Sequence, residues 1–207
     1  MDSKTIIKVL VLMFISVASS HAIESVYRLD DIVVTASKIE STVRESTASV
    51  TVIKKEDIEE MGAHTLGEAF MQESGVYTFN ILGSPQSAKI DIRGYGEAAP
   101  QNALVLIDGR RINNIDLTGA DLSQIPVDII ERIEIYRGPA SVLYGDNATG
   151  GVVNIILKKG DGKPKVTIAN ATGSYNFLKN YISLSGSQKG FSYYLLSSMT
   201  DTDGYRH

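Results

Sequence analysis

The residue types that carry catalysis or metal binding are few in this chain and lie far apart. The 207 residues contain no cysteine and three histidines, His21, His64 and His207. The lack of cysteine excludes disulfides, thiolate metal sites and cysteine nucleophiles, and the histidines lack ligand spacing. Asp108 precedes Gly109 as in a two-residue hairpin turn, which favours a structural carboxylate over a catalytic one. Without a converging acid, base or nucleophile, we expect no enzyme activity, no metal site and no cofactor.

Two glycine pairs raise the possibility of a phosphate-binding loop. They are Gly94-x-Gly96 and Gly150-Gly151, and neither belongs to a P-loop or to a dinucleotide-binding fingerprint. Tight turns in a crowded setting are therefore favoured. The net charge of −4 and the pI near 5.4 leave no basic surplus to neutralise phosphates, so no nucleic-acid partner is expected.

Residues 1–22 have the pattern of an export signal. Lys4 and Lys8 form a short positive region, Val9–Ala18 is an apolar run, and Ser20-His21-Ala22 offers small residues for cleavage. The apolar run would rise about 15 Å as a helix, roughly half of a ~30 Å hydrocarbon core. A cleaved signal peptide is therefore favoured over a membrane anchor.

A polar leader at residues 23–45 contains one apolar island, Asp31–Ala36. This segment is β-prone, short and flanked by charge, and we expect an orphan strand with no nearby partner. One interpretation is a structural strand of the protein's own fold. The other is a strand kept for a partner protein, because strand addition supplies main-chain hydrogen bonds without a rigid site.

Many short elements joined by glycine-rich loops are expected between residues 46 and 159. Strands are predicted over Val50–Ile53, Lys89–Ile92, Ala103–Ile107, Arg111–Ile112, Arg132–Tyr136 and Val152–Leu157. Helices are predicted over Lys54–Met61, from the Thr65–Glu68 capping box to Gln72, from Pro126 to about Ile130, and as one turn between Gly138-Pro139 and Gly145. The pattern predicts an α+β domain, a small mixed sheet with short helices packed on it.

Beyond Lys158–Pro164 the pattern becomes alternating. Strands are predicted over Lys165–Thr172, Tyr181–Ser187 and Phe191–Asp201, and the third places Phe191, Tyr193, Leu195 and Met199 on one face. Alternating segments of about ten residues with aromatic ends are typical of transmembrane barrels, although a soluble antiparallel sandwich fits these strands equally well. Since bacterial barrels begin at about eight strands, three strands would make this chain an N-terminal fragment.

Four motifs in order resemble TonB-dependent outer-membrane receptors. They are Asp31–Ala36, similar to a TonB box; Ile90–Gly94, similar to the "IRG" signature; Leu104–Gly109, similar to the "LIDG" turn; and Ile130–Gly145 with its continuation to Ile156. The resemblance implies a signal peptide at 1–22, a periplasmic leader with the TonB box at 23–45, and a plug domain at 46–159. Residues 160–207 would then be the first antiparallel strands of a transmembrane β-barrel.

The resemblance also implies roles for particular residues. Asp31, Ile32, Val33, Val34, Thr35 and Ala36 would bind TonB. Arg93 and Arg137 would point outward as a latch against carboxylates of the barrel wall, unless they are plain surface arginines or pair locally with Glu131 or Glu134. Polar plug loops at Asn80–Ala88, Tyr95–Asn102 and Asn113–Ala120 would face the ligand, with Tyr95, Gln101 and Asn102 as contacts.

The function implied is active uptake of a ferric siderophore or similar metal chelate, energised through TonB and its inner-membrane complex. The protein would sit in outer-membrane lipid, with the plug and the TonB box facing the periplasm. Ala120–Gln124 is similar to the cobalamin-transporter branch, which makes cobalamin the alternative ligand and haem a less favoured one. A signal-transducing receptor would need a domain between the cleavage site and Asp31, where only residues 23–30 lie. A periplasmic enzyme or adhesin is a further alternative.

Overall fold

The computed structural model describes residues 49–80 and 88–203, together with two short strand segments nearer the N-terminus. In chain order the strands are β1 (Val33–Val34), β2 (Ser41–Thr42), β3 (Ser49–Lys54), β4 (Val76–Asn80), β5 (Ala88–Ile92), β6 (Ala103–Ile107), β7 (Arg110–Arg111), β8 (Ile130–Arg137), β9 (Gly151–Leu157), β10 (Lys165–Thr172), β11 (Leu178–Gln188) and β12 (Phe191–Asp201). The helices are α1 (Lys55–Glu60), α2 (Leu66–Phe70) and α3 (Ser141–Tyr144), with 3-10 helices at Gly96–Gln101 and Val127–Ile129. The predicted signal peptide, most of the leader and loop 81–87 lie outside the described residues.

A five-stranded mixed sheet forms the centre of the described chain. Its order is β3-β8-β9-β6-β7, in which β6 and β9 are parallel and the other neighbours are antiparallel. Strands β4 and β5 form a separate hairpin. Sequence patterning missed β4, and it predicted a longer helix after Pro126 than the single 3-10 turn that forms.

Local sequence signals explain where several of these elements begin and end. The Thr65 hydroxyl accepts a hydrogen bond from Glu68 N at 3.2 Å, and the Glu68 carboxylate accepts one from Thr65 N at 3.3 Å. This capping box starts α2 as predicted, although the helix ends at Phe70 rather than Gln72. Asp108 and Gly109 have φ of +45° and +79°, which are the values of the tight turn predicted between β6 and β7.

Both faces of the five-stranded sheet are covered. On one face Ile133, Ile135, Val153 and Ile155 pack with α2, whose Phe70 is fully buried. On the other face a smaller cluster contains Leu104, Leu106, Ala140, Ala148 and Val152. All residues of strand β6 are therefore apolar, as expected for a strand that is buried on both sides.

The strand predicted over Arg132–Tyr136 alternates polar and apolar residues, which predicts one half-buried face and one solvent-facing face; this is wrong at Glu134. Glu134 is 0% exposed and forms an ion pair with Arg132 at 2.9 Å. Its other carboxylate oxygen accepts from the buried Asn154 side chain at 3.5 Å. The alternation predicts a solvent-facing Glu134, but the sheet's second face is covered, and these two partners offset part of the cost of burying the carboxylate.

Strands β10–β12 form an antiparallel meander, the three-stranded sheet. Their register places Phe191, Tyr193, Leu195 and Met199 on one face, as predicted. Strand β11 begins at Leu178, earlier than the predicted Tyr181. On the other face Lys179 pairs with Asp128 at 2.7 Å, so this inner face lies against the preceding domain. The outward face exposes a set of large apolar side chains, namely Val166, Ile168, Ile182, Leu184, Leu195 and Met199.

The strand within the predicted TonB box has a partner, which corrects the expectation of an orphan strand. Val33 lies opposite Thr42 and Val34 opposite Ser41 in a two-residue antiparallel ladder. This ladder is a sheet of its own and is not joined to the five-stranded sheet. The partner was missed because Ser41-Thr42 carries no apolar strand pattern. Asp31, Ile32, Thr35 and Ala36 lie outside the described residues.

Candidate functional site

Three loops meet at the edge of the five-stranded sheet where β6 and β9 begin. They are the 3-10 helix Gly96–Gln101, the loop Asn113–Ala120 and the loop Asp146–Gly150, which we call the apical loop cluster. Gly150 N donates to Asn102 O at 2.8 Å, and the Asn147 side chain donates to Pro100 O at 3.4 Å. A Cβ at Gly119 would lie 2.9 Å from Pro100 Cβ. The cluster is therefore closely packed, and it lies opposite the edge where the chain leaves β9 at Leu157.

The first loop is held by a buried carboxylate that sequence analysis missed. Asp91 is 5% exposed and accepts from Tyr95 N and Gly96 N, both at 2.8 Å. This turn passes through Arg93 and Gly94 at φ of +74° and +78°. The signal was available, because Asp91 lies inside the Ile90–Gly94 motif, but its role depends on where the chain turns afterwards. The result is a fixed backbone beneath Tyr95.

The predicted ligand residues differ in how much surface they present. Tyr95 is 39% exposed and its ring lies on Gly150, where a Cβ would come within 2.9 Å of the ring. Gln101 is exposed beside it. The Asn102 side chain instead donates to Ala98 O at 2.8 Å, within its own 3-10 helix. Tyr95 and Gln101 are thus available to a ligand, and Asn102 also stabilises the loop.

The loop Asn113–Ala120 is an ordered hairpin with an apolar tip. The Asn113 side chain accepts from Val105 N at 2.7 Å and donates to Ala103 O at 2.9 Å, which ties the loop to β6. Asp116 accepts from the backbone and hydroxyl of Thr118 at 3.1 and 2.7 Å, and these hydrogen bonds lower the pKa of Asp116. Ile115 at the tip is 100% exposed. The loop therefore holds an apolar side chain in solvent on a fixed backbone.

The third loop is tied to β7 by an arginine that sequence analysis did not select. Arg111 donates to Asp146 Oδ1 at 2.5 Å and also to the Asn147 side-chain oxygen. The hydrogen bond from Arg111 lowers the pKa of Asp146. Asn147 is buried and has φ of +64°, a value that asparagine tolerates better than most residues. Nothing in the local sequence pairs residues 111 and 146, which meet through the sheet topology.

The two arginines of the predicted latch are neighbours. Arg93 Nη2 lies 3.4 Å from Arg137 O. The Arg137 guanidinium forms an ion pair with Glu73 at 3.1 Å and also donates to the Thr51 hydroxyl. The Glu73 partner lies within the same domain and was not predicted, whereas Arg93 is solvent-exposed. A role of either arginine against a barrel wall stays a prediction.

Within residues 49–80 and 88–203, no cluster of three or more histidine and acidic side chains is placed to hold a metal ion. Over the same part of the chain, no helix has the length and apolar character needed to span a membrane.

The fold is that of a plug domain followed by antiparallel wall strands. Residues 42–152, more than half of the chain, match the model of the TonB-dependent receptor plug domain, and the chain belongs to this family. The fold class predicted from sequence, an α+β plug followed by the first antiparallel strands of a transmembrane β-barrel, is confirmed by this match and by the receptor structures below.

The relatives are transporters and receptors. The vitamin B12 transporter BtuB of Vibrio vulnificus is 36% identical over 154 residues, covering 74% of this chain and 25% of the transporter. The siderophore receptor PirA of Acinetobacter baumannii is 30% identical with a TM-score of 0.57, covering 77% of this chain and 25% of that receptor. FpvA of Pseudomonas aeruginosa bound to heterologous pyoverdines shares the fold at 20% identity, with a TM-score of 0.66 and coverage of 81% and 22%. The chain spans about a quarter of the length of these relatives.

Proposed function

We propose that this protein is a TonB-dependent outer-membrane transporter for active uptake of a ferric siderophore or similar metal chelate. The observation that carries this proposal is the direct continuation of a plug domain into strands with one face on the plug and the other apolar and exposed. A plug attached to a wall in this way suits a gated pore in a membrane. The proposed location is the outer membrane, with the TonB box on the periplasmic side.

The apical loop cluster is the proposed ligand surface of the plug. Its loops are fixed by Asp91, Asn113 and Arg111, so a ligand would meet a preorganised surface. Tyr95 supplies an aromatic face, and Gln101 and Asn102 supply amide groups suited to a polar organic chelate.

The strand Val33–Val34 is the proposed contact with TonB. A two-residue ladder with Ser41–Thr42 contains few hydrogen bonds, and isolated two-stranded hairpins are marginally stable in water. TonB would therefore displace Ser41–Thr42 and add its own strand to Asp31–Ala36. Energy would come from the inner-membrane complex that drives TonB.

The arginine latch is proposed as the element that couples the plug to its wall. Arg93 is exposed beside Arg137, which already forms an ion pair with Glu73. Wall carboxylates would share this positive pair in the resting state. The leader precedes β3 in the sequence, and Thr51 of β3 accepts a hydrogen bond from Arg137. A pull on the leader would therefore act directly on this contact of Arg137.

Cobalamin is the second candidate ligand. The observation in its favour is the 36% identity to the vitamin B12 transporter of Vibrio vulnificus, higher than the 30% identity to PirA. Growth of a strain that depends on this protein separates the two ligands. Rescue under iron limitation with a supplied siderophore supports a ferric chelate, and rescue under cobalamin limitation alone supports cobalamin.

The Val33→Pro variant tests the proposed mechanism. Proline removes a main-chain donor from the box strand, so strand addition to TonB should fail while the apical loops are untouched. We expect uptake of radiolabelled ligand to be lost and binding of ligand to whole cells to persist. Val33→Thr retains the N–H and the strand preference and serves as the matched control. Normal uptake by Val33→Pro cells would overturn the TonB assignment.

A further inference from the structure

Four exposed lysines lie together at one end of the three-stranded sheet. Lys159 follows β9, Lys163 precedes β10, Lys165 begins β10, and Lys189 occupies the β11–β12 turn; we call these four the basic rim. Ser187 N donates to Gly162 O at 2.9 Å, which holds the segment before β10 against the end of β11. All four therefore border the edge at which the chain leaves the plug.

The basic rim contrasts in charge with the rest of the molecule. The chain carries a net charge of −4, yet Asp161 is the one acidic residue between Lys158 and Asp201 in the sequence. At the opposite end of the sheet, the exposed charged groups among the described residues, which end at 203, are Asp201 and Asp203. The exposed lysines of the three-stranded sheet are thus gathered at the end near the plug exit.

Lys158 does not belong to the basic rim. Its ammonium group donates to Asp128 O at 2.8 Å, and burial lowers the pKa of Lys158. Lys179 likewise points inward to Asp128 at 2.7 Å. These two lysines bind the wall strands to the plug, whereas the four rim lysines are exposed, including Lys165, which the register places on the inner face at the very start of β10.

Aromatic side chains separate the basic rim from the apolar outward face. Phe191 is 70% exposed, and its ring centroid lies 6.2 Å from that of Tyr193. Tyr193 covers Gly186, where a Cβ would lie 2.5 Å from the tyrosine hydroxyl. Along the strands from the turn end of the sheet, the exposed side chains are therefore first lysines, then aromatic rings, and then the apolar Val166 and Leu195. This order matches a membrane boundary, with charge at the headgroups and aromatic rings at the interface.

We propose that the basic rim binds the phosphate groups of anionic phospholipids in the leaflet on the side where the chain leaves the plug. The inference rests on the proposed function, because the outward face must lie in lipid. Lysine stems can run along apolar surface while the ammonium reaches the headgroup layer. Clustered lysines next to a membrane-embedded segment attract anionic headgroups. A phospholipid fits better than free phosphate because the rim continues directly into a surface suited to acyl chains.

Lipid binding to the full-length protein purified in detergent tests this inference. Native mass spectrometry would compare phosphatidylglycerol with phosphatidylcholine of the same acyl chains. We expect the wild type to prefer phosphatidylglycerol, and Lys163→Gln with Lys189→Gln to lower that affinity by about fivefold per lysine. The matched control, Lys163→Arg with Lys189→Arg, keeps both positive charges at the rim and should retain the preference.

Three results would overturn the inference. The first is equal affinity of the wild type for both lipids, and the second is the same loss in the control pair. The third is full displacement of phosphatidylglycerol by soluble glycerol phosphate, which would identify a simple anion site. Fractionation and uptake assays on the same variants separate this failure from that of the proposed function. If the protein transports ligand from the outer membrane but shows no preference for phosphatidylglycerol, only the lipid-binding role of the rim is disproved. If the protein is absent from the outer membrane, both the proposed function and the lipid-binding role are disproved.

Discussion

The five-stranded sheet of the plug buries apolar side chains on both of its faces, whereas the three-stranded sheet of the wall leaves them exposed on one face. In β6 and β9 successive residues are buried, because α2 and the hairpin β4–β5 cover one face and α3 with its loop covers the other. In β10 and β11 burial alternates, and on the outward face Leu195 of β12 is 61% exposed. The plug thus contains its own core, whereas the outward face of the wall strands is left uncovered by the described residues.

The largest expected effect is truncation of the plug core. Phe70→Ala removes a fully buried ring and should lower the free energy of unfolding by about 3–5 kcal/mol. Phe191→Ala deletes the same atoms from the outward face and should change it by less than about 0.5 kcal/mol in detergent. Urea unfolding followed by tyrosine fluorescence measures both. Equal losses of unfolding free energy in the two variants would contradict the distinction between a buried plug core and an exposed outward face.

The ion pair Arg137–Glu73 is the next most sensitive feature of the plug. Glu73→Gln leaves the largely buried guanidinium without its carboxylate and should cost about 1–3 kcal/mol, less than for a fully buried pair. The exposed pair Lys55–Glu56, at 3.5 Å, provides the control. Glu56→Gln should cost less than about 1 kcal/mol. If Glu73→Gln were as mild as Glu56→Gln, the Arg137 contact would contribute little to plug stability.

The capping box of α2 gives a smaller and more local effect. Thr65→Ala removes the hydroxyl that accepts from Glu68 N and should cost about 1 kcal/mol. Thr65→Ser retains the hydroxyl and should remain close to the wild type. Hydrogen exchange of the amides in α2 reports the change directly, and unaltered protection in Thr65→Ala would show that Phe70 packing alone holds the helix.

The smallest effects concern two aspartates near the apical loops. Hydrogen bonds from Ser123 lower the pKa of Asp121, and those from Thr118 lower the pKa of Asp116. Each therefore stabilises the fold above the ordinary aspartate pKa, and this contribution is lost as the pH falls. Ser123→Ala should raise the pKa of Asp121 alone, and Thr118→Ala that of Asp116 alone, as measured by NMR titration. A shift of both aspartates in either variant would mean that the two turns are coupled.

Features set by neighbouring residues in sequence could be predicted, and features set by distant contacts could not. The Thr65–Glu68 box, the Asp108–Gly109 turn and the shared face of β12 follow from local spacing. Burial of Glu134 does not, because its position alternates like a surface residue until the second face of the sheet is covered.

The same division holds at the candidate site. The loops of Tyr95–Asn102 and Asn113–Ala120 could be placed by their polar composition between strands. Their supports could not, since Arg111 meets Asp146 and Arg137 meets Glu73 only through the sheet topology. The partner of Val33–Val34 was missed for a related reason, because Ser41-Thr42 has no strand pattern of its own.

These 207 residues contain no cysteine, so single cysteines introduced within them allow the most direct test of the central claim, that the outward face of β10–β12 lies in lipid. Single spin labels would be attached at Leu195→Cys on the outward face and at Ser198→Cys on the inner face, where Ser198 lies opposite Tyr181. In the full-length protein in outer membranes, we predict that the label at 195 is accessible to oxygen and shielded from a water-soluble nickel complex, and that the label at 198 lacks this lipid signature. Nickel accessibility at 195 equal to that of a water-exposed loop position would contradict the placement of these strands in a membrane wall.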